Sequence, residues 1–315
     1  MAGEHQEPVH RKELLLVDGS GYIFRAFFAL PRMTTSAGLP TNAVYGFIRM
    51  ILKLIKDTHP THIAVVFDSP KRTFRDELYA DYKKNRAETP DDLVAQIPYI
   101  HRAVEAFRIK AIVRDGVEAD DVIGTLAARA ASEGYAVTIV TADKDFMQLV
   151  GPNVTLWDTM RDRRVGVNEV RERFGVEPGA MVDIQALTGD QVDNVKGVPG
   201  VGEKTACSLV QMFGGVEEIY SHLDRVEASG LRGAKRIAAL LREHRGEVEL
   251  ARKLVRIDTD VPVELGPDDC GWTGGDNRAT AELMRELEFK SMVGETAPIQ
   301  AGLPGLAGTK REDAP

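Results

Sequence analysis

Three short apolar runs, each delivering an aspartate at its end, constrain this chain more than any other feature. Leu14-Leu15-Leu16-Val17 leads into Asp18, His62-Ile63-Ala64-Val65-Val66-Phe67 into Asp68, and Val137-Thr138-Ile139-Val140 into Thr141-Ala142-Asp143. Short runs this continuously apolar read as strands buried on both faces, the mark of a parallel sheet covered by helices. Helical patterns lie between them. Residues 41–57 carry Val44, Phe47, Ile48, Ile51, Leu52 and Ile55 at helical spacing, with Pro60 just beyond. A second helix is expected over 119–133. A third opens at Thr89-Pro90-Asp91-Asp92, with Thr89 as cap and Pro90 in the first turn, and runs to about Ala106. The fold class expected is α/β, a mainly parallel central sheet flanked by helices. In open sheets of this kind ligand chemistry collects at the carboxyl ends of the strands, so the three aspartates converge on one crevice.

The pattern changes along the chain. Residues 1–12 read as a flexible N-terminus and 13–177 as the α/β domain, interrupted by a polar stretch, 71–86, that does not fit the sheet. From about 178 to 292 short helices dominate, which places a smaller helical subdomain there. The tail, 293–315, is rich in Gly, Ala and Pro and reads as a linker. No apolar stretch approaches the ~18 residues of a membrane span, and the N-terminus lacks the apolar core of a signal peptide. Cys207 and Cys270 follow neither a disulfide nor a zinc pattern. The expectation is a soluble, reduced, cytoplasmic protein with no membrane partner, monomeric by default.

Acids at motif positions carry the clue to chemistry. They are Asp18, Asp68, Glu118, Asp120, Asp121, Asp143, Asp145, Asp190 and Asp193. Taken alone, Glu118-Ala-Asp-Asp121 is what a helix start favours, and Gly189-Asp190-Gln-Val-Asp193-Asn194 is an ordinary turn. Together they are harder to explain, because like charges gathered at one end of a sheet repel unless protons or cations compensate them. Hard oxygen donors without a Cys or His cluster favour Mg²⁺ or Mn²⁺ over zinc, and so many acids suit two or more ions. Two such ions about 4 Å apart activate a water and stabilise the leaving oxygen of a phosphodiester. The net charge of −8 argues against a nucleic-acid partner at first sight, but setting these nine acids aside leaves +1.

Two segments could hold such a partner. Lys71 to Arg86 contains six basic residues, and Tyr82-Lys83-Lys84-Asn85-Arg86 sets an aromatic beside cations, which suits base stacking and phosphate contact. A solvated charged helix explains the same composition equally well. Gly197-Val-Pro-Gly-Val-Gly202 precedes a helix containing Lys204, and no strand precedes it as a dinucleotide-binding fingerprint would need. Glycines there permit close backbone approach, and a helix start favours phosphate, although an ordinary helix–helix turn also fits. Arg232, Lys235, Arg236, Arg242 and Arg245 either extend a duplex track or form a solvated face.

These stretches, with Leu16-Val-Asp-Gly-Ser20, Ala43-Val-Tyr-Gly-Phe47, Thr73-Phe-Arg-Asp-Glu77, Thr141-Ala-Asp-Lys-Asp145, Ala186-Leu-Thr-Gly-Asp190 and Leu287-Glu-Phe-Lys290, resemble the 5′-nuclease superfamily that includes the flap endonucleases. The nearest type is the 5′–3′ exonuclease domain of bacterial DNA polymerase I, and the resemblance runs in order from about residue 13 to 292. It implies a PIN-like sheet, a helical arch at about 70–106, and a helix–three-turn–helix element in the C-terminal subdomain. The nine acids would be the metal-site acids: Asp18, Asp68, Glu118, Asp120 and Asp143 nearest one ion, Asp145, Asp190 and Asp193 serving another. Lys83 and Arg86 would approach the scissile phosphate and Tyr82 stack on an unpaired base. Arg25 and Arg72 are weaker phosphate candidates. Lys196, Gly197, Gly200, Gly202 and Lys204 would grip the duplex backbone, with K⁺ held by backbone carbonyls of the hairpin. The implied activity is 5′–3′ exonuclease and 5′-flap endonuclease on DNA with 5′ flaps, nicks or ends. RNA–DNA hybrids, a polymerase partner and a bacterial nucleoid location follow from the same resemblance. A PIN-type RNA nuclease and a non-catalytic DNA-junction binder are the alternatives.

Overall fold

The computed structural model describes residues 12–293. The flexible ends expected at 1–12 and 293–315 lie, but for their innermost residues, outside that range. Six strands form the main sheet: β1 (Glu13–Asp18), β2 (His62–Phe67), β3 (Lys110–Val113), β4 (Ala136–Val140), β5 (Val154–Asp158) and β6 (Arg163–Val165). Their order is β3-β2-β1-β4-β5-β6, parallel throughout except for β6, which runs antiparallel at the edge. Three of these were expected. The edge strand β3 buries only Ile112, so no apolar run marks it.

The sheet is covered on both faces, and strand alternation divides its side chains between two cores. Leu15, Val17, Ile63 and Val65 face helices α1 (Gly19–Ala29) and α2 (Asn42–Thr58), against Phe47, Ile48, Ile51 and Leu54. Leu14, Leu16, Ala64, Val66 and Ile139 face α6 (Ala119–Ser132), against Val122, Ile123, Leu126 and Ala130. The helices between α2 and α6 are short: α3 (Phe74–Leu78), α4 (Asp91–Val94) and α5 (Ile97–Ala106).

The single helix expected from Thr89 is broken into α4 and α5, and Pro90 rather than Thr89 occupies the cap. Pro98 explains the restart, since its missing N–H and its ring are tolerated only in a first turn. The linking residue Gln96 is fully buried and caps a different helix. Its Oε1 accepts from Ala43 N at 2.7 Å and Val44 N at 3.2 Å, meeting the orphan amides at the start of α2.

Beyond the sheet, α7 (Val167–Phe174) leads into a helical region of α8 (Met181–Thr188), α9 (Glu203–Phe213), α10 (Val216–Ser221), α11 (Leu223–Glu227), α12 (Ala234–Glu243) and α13 (Arg245–Val255). A two-residue antiparallel pair, β7 (Gly189–Asp190) with β8 (Val195–Lys196), precedes the glycine hairpin, where no strand was expected. It is a ribbon, not the parallel strand of a dinucleotide site. The chain then returns to the sheet. Trp272 Nε1 donates to Phe107 O at 2.7 Å, and α14 (Asn277–Glu286) packs Leu283 and Met284 into the α2 core. Packing therefore changes well before 292, where the helical subdomain was expected to end. No helix among the described residues is long and apolar enough to cross a membrane.

Candidate active site

Strand order fixes where the acids meet. From β1 the chain builds outward through β2 and β3 on one side, then crosses back from β3 through α6 to place β4 on the other side of β1, so a crevice opens at the carboxyl ends of β1 and β4. Asp18 closes β1 and caps α1, its Oδ1 accepting from Gly21 N at 2.8 Å. Its Oδ2 accepts from Thr141 Oγ1 at 2.9 Å, and the same hydroxyl accepts from Asp143 N at 3.0 Å. Asp143 Oδ1 in turn accepts from Asp145 N at 2.9 Å. One hydroxyl thus fixes the spacing of two acids from different strands. Asp68, just past β2, donates its N–H to Ser20 Oγ at 2.9 Å and accepts from Ala119 N at 2.9 Å. That bond docks the start of α6, delivering Glu118 and Asp120.

The carboxylates form two overlapping groups. Asp120 experiences the charges of Asp18, Asp143, Asp68 and Glu118, whereas Asp145 experiences those of Asp143, Asp190 and Asp193. Asp143 belongs to both. Burial and mutual repulsion push Asp18 up to about 6 and Asp145 up to about 8, raise Asp120 well above its ordinary value, and raise Asp143 as well. Asp120 is half-buried and Asp143 lies open at the cleft mouth, so water screens part of this repulsion. Among the described residues no three acidic, histidine or cysteine side chains close into a single-ion cage. The acids are instead spread along a cleft, as suits hydrated Mg²⁺ or Mn²⁺, which bind through one or two carboxylates and keep their waters. All-oxygen donors short of positive charge fit such cations.

Asp121 departs from the expected set. It is fully buried on the far side of the α6 start, paired with Arg75 through Nη1–Oδ2 at 2.6 Å and Nη2–Oδ1 at 2.8 Å. Arg75 also donates to Leu254 O at 2.8 Å and Arg256 O at 2.7 Å. Asp121 is therefore a structural acid joining α6 to the end of α13, since both its oxygens are spent. Arg75 had been given no role; a buried charge is not visible in a run of surface-like basic residues.

The segment expected to arch over the site lies down on it. Lys83 Nζ reaches Glu118 Oε1 at 2.6 Å, and Arg86 pairs with Asp193. Asn194 Nδ2 donates to Asp81 O and Asn85 Nδ2 to Gln191 O, both at 2.7 Å, while Lys83 N donates to Asp193 O at 3.0 Å. Tyr82 was expected to stack on a base, but it is 6% exposed. Its hydroxyl donates to Glu118 and Asp193, whose charges, after burial, push it far up. Arg25 is taken by Asp158 in a bidentate pair of 2.9 and 3.1 Å, which leaves it no free fork for phosphate. Arg72 is exposed beside the cleft-facing segment.

At the hairpin the glycines have different reasons. A side chain on Gly197 would meet Thr188 C at 2.2 Å and Gly189 N at 2.3 Å, so this glycine serves the chain's own backbone rather than phosphate. Gly200 turns the chain at φ +80°, and Gly202 caps α9 with nothing within 4 Å. Lys196 and Lys204 flank this open helix start and are exposed. Besides Arg75, Thr141, Ser20 and Gln185 were missed. Thr141, Ser20 and Arg75 had a signal, standing inside Thr141-Ala-Asp143, Leu16-Val-Asp-Gly-Ser20 and Thr73-Phe-Arg-Asp-Glu77; Gln185 had none.

Comparison with known proteins agrees with this architecture. Residues 13–175 match the model of the 5′-3′ exonuclease N-terminal resolvase-like domain, and 176–278 the 5′-3′ exonuclease C-terminal SAM fold. The chain is 41% identical over 288 residues to a 5′-3′ exonuclease of Aquifex aeolicus, covering 91% of this chain and 96% of that protein. It is 48% identical over 279 residues to DNA polymerase I of Pseudomonas aeruginosa, covering 88% of this chain but only 31% of the polymerase. Against such polymerases it spans about a third of their length. A T5 5′-exonuclease structure with zinc bound superposes with a TM-score of 0.64 at 22% identity, covering 87% of this chain and 99% of that one. The catalytic core of Rad2 with DNA substrate gives 0.60 at 16% identity, covering 90% and 93%. With both of its domain models matched in order and an acidic cleft at the sheet's switch point, the chain belongs to the 5′-3′ exonuclease family of nucleases, whose fold it shares with the flap endonucleases.

Proposed function

We propose that this chain hydrolyses DNA phosphodiesters at 5′ ends and 5′-flap junctions, using two or more Mg²⁺ or Mn²⁺ ions held by the two acid groups. The observation that carries this reading is the cleft itself: eight carboxylates in two groups joined at Asp143, with raised carboxyls that cations would relieve. Bound there, the ions would polarise a water and the leaving oxygen. The chain's own part is to hold Asp18 and Asp143 in register through Thr141, and to present Lys83 and Arg86 where a phosphate would displace them from Glu118 and Asp193.

Duplex is gripped without sequence reading by Lys196, the open start of α9 and Lys204, with K⁺ on hairpin carbonyls as part of the same reading. Support comes from a T5 flap endonuclease solved with DNA and metal ions and from Rad2 solved with DNA substrate. Substrates would include nicked DNA and RNA–DNA hybrids, acted on by a monomer at the nucleoid. A polymerase, in the same chain or another, would supply the displaced strands.

The test is cleavage of a 5′-flap duplex labelled on the flap strand, with Mg²⁺, with EDTA and with Asp68→Ala. Magnesium-dependent cuts near the junction, lost in the variant, are the expected result. Intact binding with no cleavage of flap, nicked or gapped DNA across several metals would instead identify a non-catalytic junction binder.

A further inference from the structure

We propose that Gln185 is a positioning residue for the Asp145 carboxylate, and through it sets how tightly the Asp145–Asp190–Asp193 end of the cleft holds a divalent cation. The inference rests on the cation reading above and deepens it.

Gln185 lies on α8, 3% exposed, among the buried Ile184, Ala186 and Leu187. Its Nε2 donates to Asp145 Oδ1, while its Oε1 is buried with no hydrogen-bond partner. A buried acceptor left unmet costs about 1–3 kcal/mol, so an apolar side chain of the same size would serve the core better. A cation at this end of the cleft holds Asp145 ionised, and an ionised carboxylate takes a hydrogen bond only from a donor, which in that state commits the nitrogen to Asp145 and strands the oxygen in the core.

The rest of Asp145 is already fixed. Its N–H donates to Asp143 Oδ1 at 2.9 Å, and its carbonyl accepts from Gln148 Nε2 at 3.0 Å. Gln148 is itself held by Val255 O and by Ile257 N, each at 3.0 Å. What remains free is the side-chain rotation of Asp145, and Gln185 is the group that stops it. Asp145 lines the cleft with Asp190 and Asp193, and Gln185 does not, so any effect on a ligand passes through Asp145. An outer partner of this kind, fixing the direction of a ligating oxygen, typically changes metal affinity by about 10–100-fold when removed.

The experiment is a Mn²⁺ titration of the full chain, free Mn²⁺ being read by electron paramagnetic resonance, on the unaltered protein, Gln185→Leu and Gln185→Met. Thermal unfolding in EDTA accompanies it, and Met keeps the length should Leu pack badly. The unaltered chain is expected to bind at least two ions. In the variants one class weakens about tenfold or more, while the midpoint in EDTA stays level or rises. In an Asp145→Asn background, Gln185→Leu changes Mn²⁺ affinity no further, because the path runs through that carboxylate. An unchanged isotherm with a lowered midpoint would make Gln185 a core residue and overturn the proposal. Absence of Mn²⁺ binding by the unaltered chain would overturn the cation reading instead.

Discussion

Lys83 Nζ lies 2.6 Å from Glu118 Oε1 and 3.8 Å from Asp193 Oδ2, so one ammonium bridges the two acid groups of the cleft. Its backbone adopts φ +55°, a left-handed conformation costly for a non-glycine residue and sustained here by the bond from Lys83 N to Asp193 O. Lys83 therefore occupies, in charge if not in chemistry, the place of a cation.

Removing that charge has opposite effects on binding and on turnover. Lys83→Met is expected to tighten Mn²⁺ binding by about tenfold, since an effective dielectric near 20 leaves a few kcal/mol of repulsion between unit charges several ångström apart, part of it screened. Single-turnover flap cleavage is expected to fall by about 100-fold, the usual cost of losing one donor to a developing phosphate charge. Calorimetric titration and rapid-quench cleavage check the two halves. Unchanged Mn²⁺ affinity would show that Lys83 does not compete with the cations.

Neighbouring acids on α6 are expected to respond in opposite directions. Asp121 forms a buried pair with Arg75, and leaving one partner of such a pair alone costs about 3–5 kcal/mol. Asp121→Ala therefore lowers the unfolding midpoint steeply in any buffer. Asp120 adds repulsion to Asp18, Asp143, Asp68 and Glu118, so Asp120→Asn stabilises the metal-free protein while weakening its response to Mg²⁺. Equal destabilisation by the two substitutions, read by urea unfolding in EDTA, would contradict this division.

That division marks the limit of what the residue pattern makes legible. Asp18, Asp68 and Asp143 could be placed together because strand ends share one edge of a sheet, a consequence of topology alone. Asp120 and Asp121 are adjacent in the chain and equally acidic, yet a helix turns successive side chains by about 100°, sending one to the cleft and one to the core. Which goes where depends on Arg75, a residue far away in sequence. Tyr82 shows the same limit. Its aromatic character and basic neighbours suggest stacking, but burial against Glu118 and Asp193 is a tertiary fact. Gln96 and Gln185 are buried amides whose partners lie on other helices, and a single polar letter in an apolar stretch does not reveal them.

The raised carboxyls make stability depend on pH in an unusual sense. A carboxyl whose folded value lies above its unfolded one keeps extra protons in the native state, so stability is lost as pH rises. For Asp18 that loss runs from about 4 to about 6, and for Asp145 it continues to about 8. In EDTA the unfolding midpoint is expected to fall between those limits, and less so in Asp145→Asn. Divalent cation cancels the penalty, adding about 2.7 kcal/mol at a hundredfold excess over its Kd. Midpoints measured from pH 4 to 8, with EDTA and with Mg²⁺, test this. A flat profile in EDTA that Mg²⁺ does not alter would mean the acids are compensated from within the protein.

The glycine hairpin separates a folding role from a binding role within a few residues. Gly197 packs against the backbone of Thr188 and Gly189, and a methyl group there has no flexible neighbour to push aside. Gly197→Ala is therefore expected to cost stability, seen as a lower urea midpoint. Gly202, with nothing within 4 Å and φ of −89°, accepts alanine without strain. Lys204 is exposed beside it, so Lys204→Ala is expected to leave the midpoint unchanged. Its effect is expected on duplex affinity. Each phosphate contact contributes about 0.9 to the slope of log K against log salt, so the variant's slope falls by about 1. The loss is the same for every duplex sequence, because a contact to phosphate carries no sequence information. Fluorescence-anisotropy binding from 50 to 200 mM salt, on the order of the range over which such contacts are lost, measures that slope. A Lys204→Ala protein with the original slope would remove the start of α9 from the DNA track and leave the duplex to be held elsewhere.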